Sequence, residues 1–217
     1  GTTDVLEKYG DEVLPNYIIV NSDIFDLPEG FEISENLSVN SYKPTIYSSS
    51  EGYNALNAKQ KKAYETLLAR AEEIDSNEEN YGYKYTYTYS DGSTNTAYYF
   101  GKNLSKNSDY VYPKDLQGYV FCEPGTSFND IWTAYNALTY DNPQLFWLGH
   151  AMQGFNFRNS SGKVYCAVVM ETEVLDYANG TMRQTAKTAL YEKIDKIVDG
   201  AAVYANGYSA EWYIHDY

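Results

Sequence analysis

Apolar side chains recur with helical spacing in three stretches of the chain. The first predicted helix covers 57–75, where Asn57 and Gln60 are placed as in a capping box. Five apolar side chains share one face of this helix: Tyr64, Leu67, Leu68, Ala71 and Ile74. A second helix is predicted to begin after Ser127, and a third to cover 181–199. We expect these helices to supply one side of a core.

A two-residue period marks a β-strand in the middle of the chain. Tyrosine alternates with other residues over 81–89, so a strand there carries every tyrosine on one face. The Asp91-Gly92 pair that follows is typical of a tight hairpin turn, and 96–100 is predicted to return as the partner strand.

Residues 1–50 differ from the rest, because they hold nine acidic and two basic residues. We interpret them as an acidic lead-in with short strands, one of them at 14–20, before a domain covering 51–217. Within that domain a second hairpin is predicted from 155–158 and 163–170. Three to four helices packed on small antiparallel hairpins or sheets define an α+β fold.

A last helix is predicted over 210–217, with Ser209 as its cap. The apolar pattern of this stretch continues to the final residue without a closing glycine. We therefore expect the native polypeptide to continue beyond it.

Charge and composition limit the classes of function. The chain has 217 residues with 30 acidic and 16 basic side chains, which gives a formal net charge of −14. Nucleic-acid binding is disfavoured, because phosphate contacts require clustered lysine and arginine. No apolar run approaches the roughly 20 residues of a membrane-spanning helix, so we expect no membrane span. The acidic, tyrosine-rich composition favours an extracellular or cell-surface protein, which we interpret as bacterial.

Candidate catalytic residues are scarce, since the chain has only 2 cysteines and 2 histidines. Cys122 and Cys166 both lie in strand-like segments, where they are either buried thiols or the two ends of one disulfide. His215 and Asp216 are adjacent in a predicted helix and point about 100° apart, so they are not a relay pair. His150 fits a helix-capping role. We therefore predict no catalytic residue, no metal site and no cofactor within this chain.

The tyrosine strand is the candidate binding site that remains. With Tyr83, Tyr85 and Tyr87 on one face, it would form a flat aromatic platform for a glycan or a protein partner. The alternative is that the same face packs against a helix.

Three stretches in order resemble the region just before the catalytic core of bacterial transglutaminase-like proteins. They are YNALNAKQKKAYETLL at 53–68, FNDIWTAYNALTYDNPQLFWL at 128–148, and the helix at 183–199 followed by EWYIHDY at 211–217. In that family an Ile-His-Asp-Tyr-Leu stretch opens the first helix of the core. The resemblance covers about 165 residues, starting near Tyr53.

The resemblance implies a thiol enzyme whose Cys nucleophile, His base and orienting Asp all follow that helix. No catalytic residue is therefore carried over to this chain. Its implied role is structural: a non-catalytic N-terminal domain of a peptidase or crosslinking enzyme. The implied partner is the downstream catalytic domain of the same polypeptide. The alternative function is a stand-alone adhesion or carbohydrate-binding module that uses the tyrosine face.

Overall fold

The computed structural model describes residues 17–33, 48–76, 83–88, 91–100, 104–107, 110–113, 118–149, 151–172, 174–204 and 206–216. Helices and strands are combined in an α+β arrangement, which confirms the predicted fold class.

The helices are α1 (Glu51–Ala55), α2 (Ala58–Asp75), α3 (Phe128–Asp141), α4 (Leu175–Ala178), α5 (Gly180–Ala202) and α6 (Gly207–Asp216), and a 3₁₀ turn covers Pro143–Leu145. The strands are β1 (Tyr17–Asp26), β2 (Tyr83–Thr88), β3 (Thr94–Tyr99), β4 (Leu104–Asn107), β5 (Tyr110–Pro113), β6 (Val120–Phe121), β7 (Ala151–Arg158) and β8 (Val164–Thr172).

Six strands form one mixed sheet around the β7–β8 hairpin. The strand order is β1-β7-β8-β3-β2, and β6 pairs with β8 beside β3. All neighbours are antiparallel except β1, which pairs parallel with β7 from Tyr17↔Ala151 to Asp26↔Arg158. Because β1 lies within the acidic first 50 residues, part of that segment is an edge strand of the main sheet. Strands β4 and β5 form a separate pair.

The β7–β8 turn shows why the hairpin forms where the sequence predicts it. Asn159 Oδ1 accepts hydrogen bonds from the backbone N–H of Ser161 at 3.1 Å and of Lys163 at 2.9 Å. Gly162 closes the turn with φ of 81°, a conformation that favours glycine. The hairpin is longer than predicted, because its strands continue into the buried centre of the sheet.

One sheet face packs against α2 and α3. From the sheet it includes Val120, Cys166, Val168 and Met170, and α2 contributes the five side chains predicted to share one face. The approach of α3 is close at Gly154, where an added Cβ would lie 2.2 Å from Cε1 of Phe128. The predicted capping box of Asn57 with Gln60 is present on α2, and a second one, of Ser127 with Asp130, begins α3.

The opposite sheet face carries an aromatic cluster. Its fully or nearly buried members are Tyr99, Tyr119, Phe155, Phe157, Ala167 and Val169. Phe25 and Leu27 from the first 33 residues pack against this cluster. The sheet therefore has two apolar faces, and the N-terminal strand helps to cover the second.

Two of the predicted helices have different bounds in the structure. Ser209 does not cap the last helix: α6 already begins at Gly207, and the backbone N–H of Ser209 donates to Oδ1 of Asn206 at 2.9 Å. The third predicted helix is longer than 181–199. It runs from Gly180 to Ala202, and Asn179 caps it by accepting a hydrogen bond from the backbone N–H of Met182.

Candidate functional site

The predicted tyrosine platform lies on β2, at one end of the described strand order. Tyr83, Tyr85 and Tyr87 are register partners of Tyr99, Ala97 and Asn95 on β3. The structure describes the backbone of these three residues and not their side chains. Tyr81 and Tyr89 lie outside the described residues. Tyr99, the register partner nearest to the sheet centre, is fully buried in the aromatic cluster. The use of these tyrosines as a binding site stays a prediction.

The two cysteines are neighbours in the core rather than candidates for a nucleophile. Both are buried free thiols, and the backbone N–H of Cys122 donates to the carbonyl of Cys166 at 2.9 Å. Burial, together with the nearby charge of Glu123, raises the pKa of Cys122 to about 12. Burial also raises the pKa of Cys166. A thiol that stays protonated at neutral pH is a poor nucleophile.

The histidines give no support for a catalytic constellation. His215 lies on α6, with its ring centroid 6.1 Å from that of Trp212. His150 lies outside the described residues. In the part of the chain that the structure describes, no three His, Cys, Asp or Glu side chains are grouped as a metal site requires.

The end of α3 holds a buried carboxylate that sequence reasoning missed. Asp141 accepts hydrogen bonds from the N–H of Gly52 at 2.8 Å and of Tyr53 at 2.7 Å, both in the first turn of α1. It also accepts from the hydroxyls of Ser49 at 2.7 Å and Tyr64 at 3.2 Å. Asp141 thus caps α1 from another helix, as anions do at helix N-termini. This cluster is a structural anchor.

Helix α5 is attached to the core through its first two turns. Arg183 is fully buried and donates to the carbonyl oxygens of Ile74 at 2.5 Å and Tyr177 at 2.8 Å. Its guanidinium lies 5.1 Å from the ring centroid of Trp147. Lys187 forms an ion pair with Asp75. These cations bind the carboxyl end of α2, where the helix dipole favours positive charge.

The end of α5, the turn that follows it and α6 expose several apolar side chains. The α5–α6 surface, as we call it, consists of Val198, Val203, Tyr204, Tyr208, Trp212 and Ile214. The exposed fraction is 71% for Tyr208 and 53% for Trp212. These two residues and His215 follow an i, i+4, i+7 spacing, so they share one helix face. That spacing is the signal by which the sequence alone could have revealed this surface.

Helix α6 is held against α5 by its opposite face. An added Cβ at Gly200 would lie 2.2 Å from Oη of Tyr213, so the two helices meet closely at this glycine. Tyr213 also contacts Tyr204, with ring centroids 5.6 Å apart. The aromatic side chains of the α5–α6 surface are therefore displayed by a packed helix pair.

A shallow groove of about 470 Å³ lies between α3 and the 3₁₀ turn. It is lined by Asn136, Thr139, Tyr140, Asn142, Pro143, Leu145, Phe146 and Leu148. Asn142 is buried, and its amide nitrogen donates to Oη of Tyr64 and to the carbonyl of Leu138. Because this polar group is already engaged, the groove ranks below the α5–α6 surface as a candidate site.

The chain was compared with protein-family profiles, with curated proteins and with solved structures, and none of them matched. The candidate functional site is therefore inferred from the structure of this chain alone. Among the described residues, the helices are too short or too polar to cross a membrane.

Proposed function

We propose that this chain is the non-catalytic N-terminal domain of a secreted or cell-surface bacterial transglutaminase-like cysteine enzyme. Its role is to hold or position a catalytic domain that follows in the same polypeptide. The observation that carries the proposal is the uncovered aromatic face of α6. This is the helix in which EWYIHDY resembles the opening of the family's catalytic core.

The exposed apolar side chains of the α5–α6 surface fit docking against another domain better than permanent exposure to solvent. Tyr and Trp are enriched where proteins bind one another, because they bury much area and lose little conformational entropy. Tyr208 and Trp212 are two large aromatic side chains exposed next to each other on one face of α6, whereas the exposed apolar residues of an ordinary surface are scattered singly. A domain packed on α6 would bury them.

The cysteines support a non-catalytic role. Cys122 and Cys166 are buried, and burial raises the pKa of both thiols. Papain-type catalysis instead needs an accessible thiol whose pKa is lowered by a nearby cation or a helix N-terminus. The chain would therefore contribute contacts to the catalytic domain and no catalytic residue.

The coding sequence that follows Tyr217 tests the family assignment. We expect an open reading frame with a Cys at the start of a helix, followed by a His and an Asp. A frame that stops at Tyr217, or that continues without these three residues, would overturn the proposal.

An activity assay tests the non-catalytic role in the chain as it exists. We expect no transamidation of a glutamine peptide and no peptide hydrolysis. Activity that iodoacetamide removes, and that Cys122→Ala or Cys166→Ala abolishes, would contradict the proposal. Asp195→Asn, on the exposed side of α5, is the matched control, because it is purified in the same way and leaves both cysteines in place.

The alternative function, a carbohydrate-binding module, is favoured by the position of β2 at one end of the sheet order. A binding platform there would use Tyr83, Tyr85 and Tyr87. Polysaccharide pull-down by the wild type that is lost in Tyr85→Ala and Tyr87→Ala, and retained in Trp212→Ala, would favour this alternative over the docking role.

A further inference from the structure

The two cysteines occupy opposite positions on neighbouring strands. Strands β6 and β8 are antiparallel, with Val120 paired to Val168 and Phe121 to Ala167. The next pair in this register is Cys122 with Cys166, and the hydrogen bond from Cys122 N–H to the Cys166 carbonyl continues the ladder. The pairing brings together residues that are 44 positions apart in the sequence.

The geometry of such a pair suits a disulfide. Directly opposite residues of an antiparallel ladder have Cα atoms about 4.5–5.5 Å apart. Disulfides span Cα separations of about 4.4–6.8 Å. Opposite residues also point to the same sheet face, and both cysteines belong to the core cluster between the sheet and α2 and α3.

We propose that Cys122 and Cys166 are a disulfide site that closes while the chain folds and is inaccessible afterwards. The exposed fractions of the two residues in the folded chain are 1% and 2%, so an oxidant cannot reach either sulfur without unfolding. Burial also keeps both thiols protonated, because it raises their pKa. During folding the same thiols are exposed and are brought together by the pairing of β6 with β8.

The reaction balances with a small disulfide such as oxidised glutathione as the oxidant. The thiolate of one cysteine attacks glutathione disulfide, forms a mixed disulfide and releases one glutathione thiolate. The thiolate of the second cysteine then attacks the protein sulfur of that mixed disulfide and displaces the second glutathione. Two thiols lose two protons and two electrons, and one glutathione disulfide becomes two glutathione molecules.

The bridge would stabilise the fold by restricting the unfolded chain. The closed loop contains α3, the 3₁₀ turn and β7. For a loop of this length the loop-entropy model and the usual size scaling give a rise in Tm on the order of 10 °C. This inference does not depend on the proposed function, although an extracellular location would provide the oxidising conditions.

The test compares two starting states of the full chain in the same glutathione redox buffer. Chain that is reduced and unfolded in urea, then diluted to refold, should lose two hydrogen atoms in mass, and a proteolytic digest should link the Cys122 and Cys166 peptides. Chain that is already folded should keep both thiols over the same time. Cys122→Ala and Cys166→Ala, each refolded alone, should not show the two-hydrogen loss.

Three results would contradict a stabilising disulfide between the two cysteines. They are two free thiols after refolding, disulfides only between molecules, or an oxidised chain that melts at or below the Tm of the reduced chain. Equal oxidation rates from the folded and unfolded states would contradict closure during folding. Because the mass and the peptide link are read on the wild type, the test does not depend on the folding of the variants.

Discussion

Two helical regions of this protein differ in whether their apolar side chains are buried or exposed. Helices α2 and α3 bury theirs against the sheet, and Asp141 at the end of α3 also holds α1. Helix α5 is longer, with 23 residues, yet it buries only Gly180, Arg183 and Ala201. The comparison separates a region whose apolar side chains form the core from one whose apolar side chains remain exposed. Substitutions in the two regions test that separation.

Among substitutions of polar side chains, the largest loss of stability is expected from Asp141→Ala. The change removes the acceptor of four hydrogen bonds, two of them from the first turn of α1. Leaving one buried donor and three part-buried donors without their acceptor should lower the free energy of unfolding by about 4 kcal/mol, measured by urea denaturation. Asp195→Ala, on an exposed part of α5, should change it by less than about 0.5 kcal/mol. Equal effects of the two variants would show that Asp141 is not an anchor.

Arg183→Ala should lower the free energy of unfolding by about 3 kcal/mol, because it leaves the Ile74 carbonyl buried without this donor. Arg183→Lys should recover little, since one ammonium group does not reproduce the bonds to both Ile74 and Tyr177. Hydrogen exchange should accelerate in α5 more than in α3. Uniform acceleration in both helices would mean that α5 is not a separately attached element.

Ser127→Ala should cost about 1 kcal/mol of stability, as loss of a helix cap does.

The pKa of Asp130 is lowered, first of all by the hydrogen bond from the Ser127 hydroxyl. A lowered carboxyl pKa contributes stability above the unfolded pKa, and this contribution is lost as the pH falls through the folded pKa. The difference between wild type and Ser127→Ala should therefore shrink in acid. A difference that grows below pH 4 would contradict this role of the carboxylate. Ser160→Ala, in an exposed turn, is the control.

The smallest effect on folding is expected from Trp212→Ala, below about 0.5 kcal/mol, because this side chain is largely exposed. The matched control is Trp147→Ala in the core, where loss of a buried aromatic ring should cost about 3–5 kcal/mol. Thermal unfolding of the two variants measures both. A Trp212→Ala loss close to that of Trp147→Ala would remove the distinction between the two regions.

The parts of the fold that depend on neighbouring residues were predictable, and those that depend on distant ones were not. The capping pairs of α2 and α3 lie three residues apart, so the sequence displays them directly. The parallel pairing of β1 with β7 joins Tyr17 to Ala151, and no local pattern specifies it. Ser209 failed as a cap because Asn206, three residues earlier, supplies the accepting side chain.

The candidate site shows the same limit. Sequence periodicity located a helix near the C-terminal end of the chain, but exposure depends on what packs against each face. The capping of α1 by Asp141 was missed because its partners at 49–64 lie 77 to 92 positions away. The tyrosines at 83, 85 and 87 are regular in spacing, and their role stays a prediction.

Hydrogen exchange over residues 207–216 distinguishes an α6 that is covered by a following domain from one that stays exposed. It should be measured in this chain and in a longer polypeptide that continues past Tyr217. The docking role predicts that α6 exchanges at least tenfold more slowly in the longer polypeptide, while α2 and α3 are unchanged, and that Trp212→Ser removes this protection. Identical exchange of α6 in both chains would contradict it.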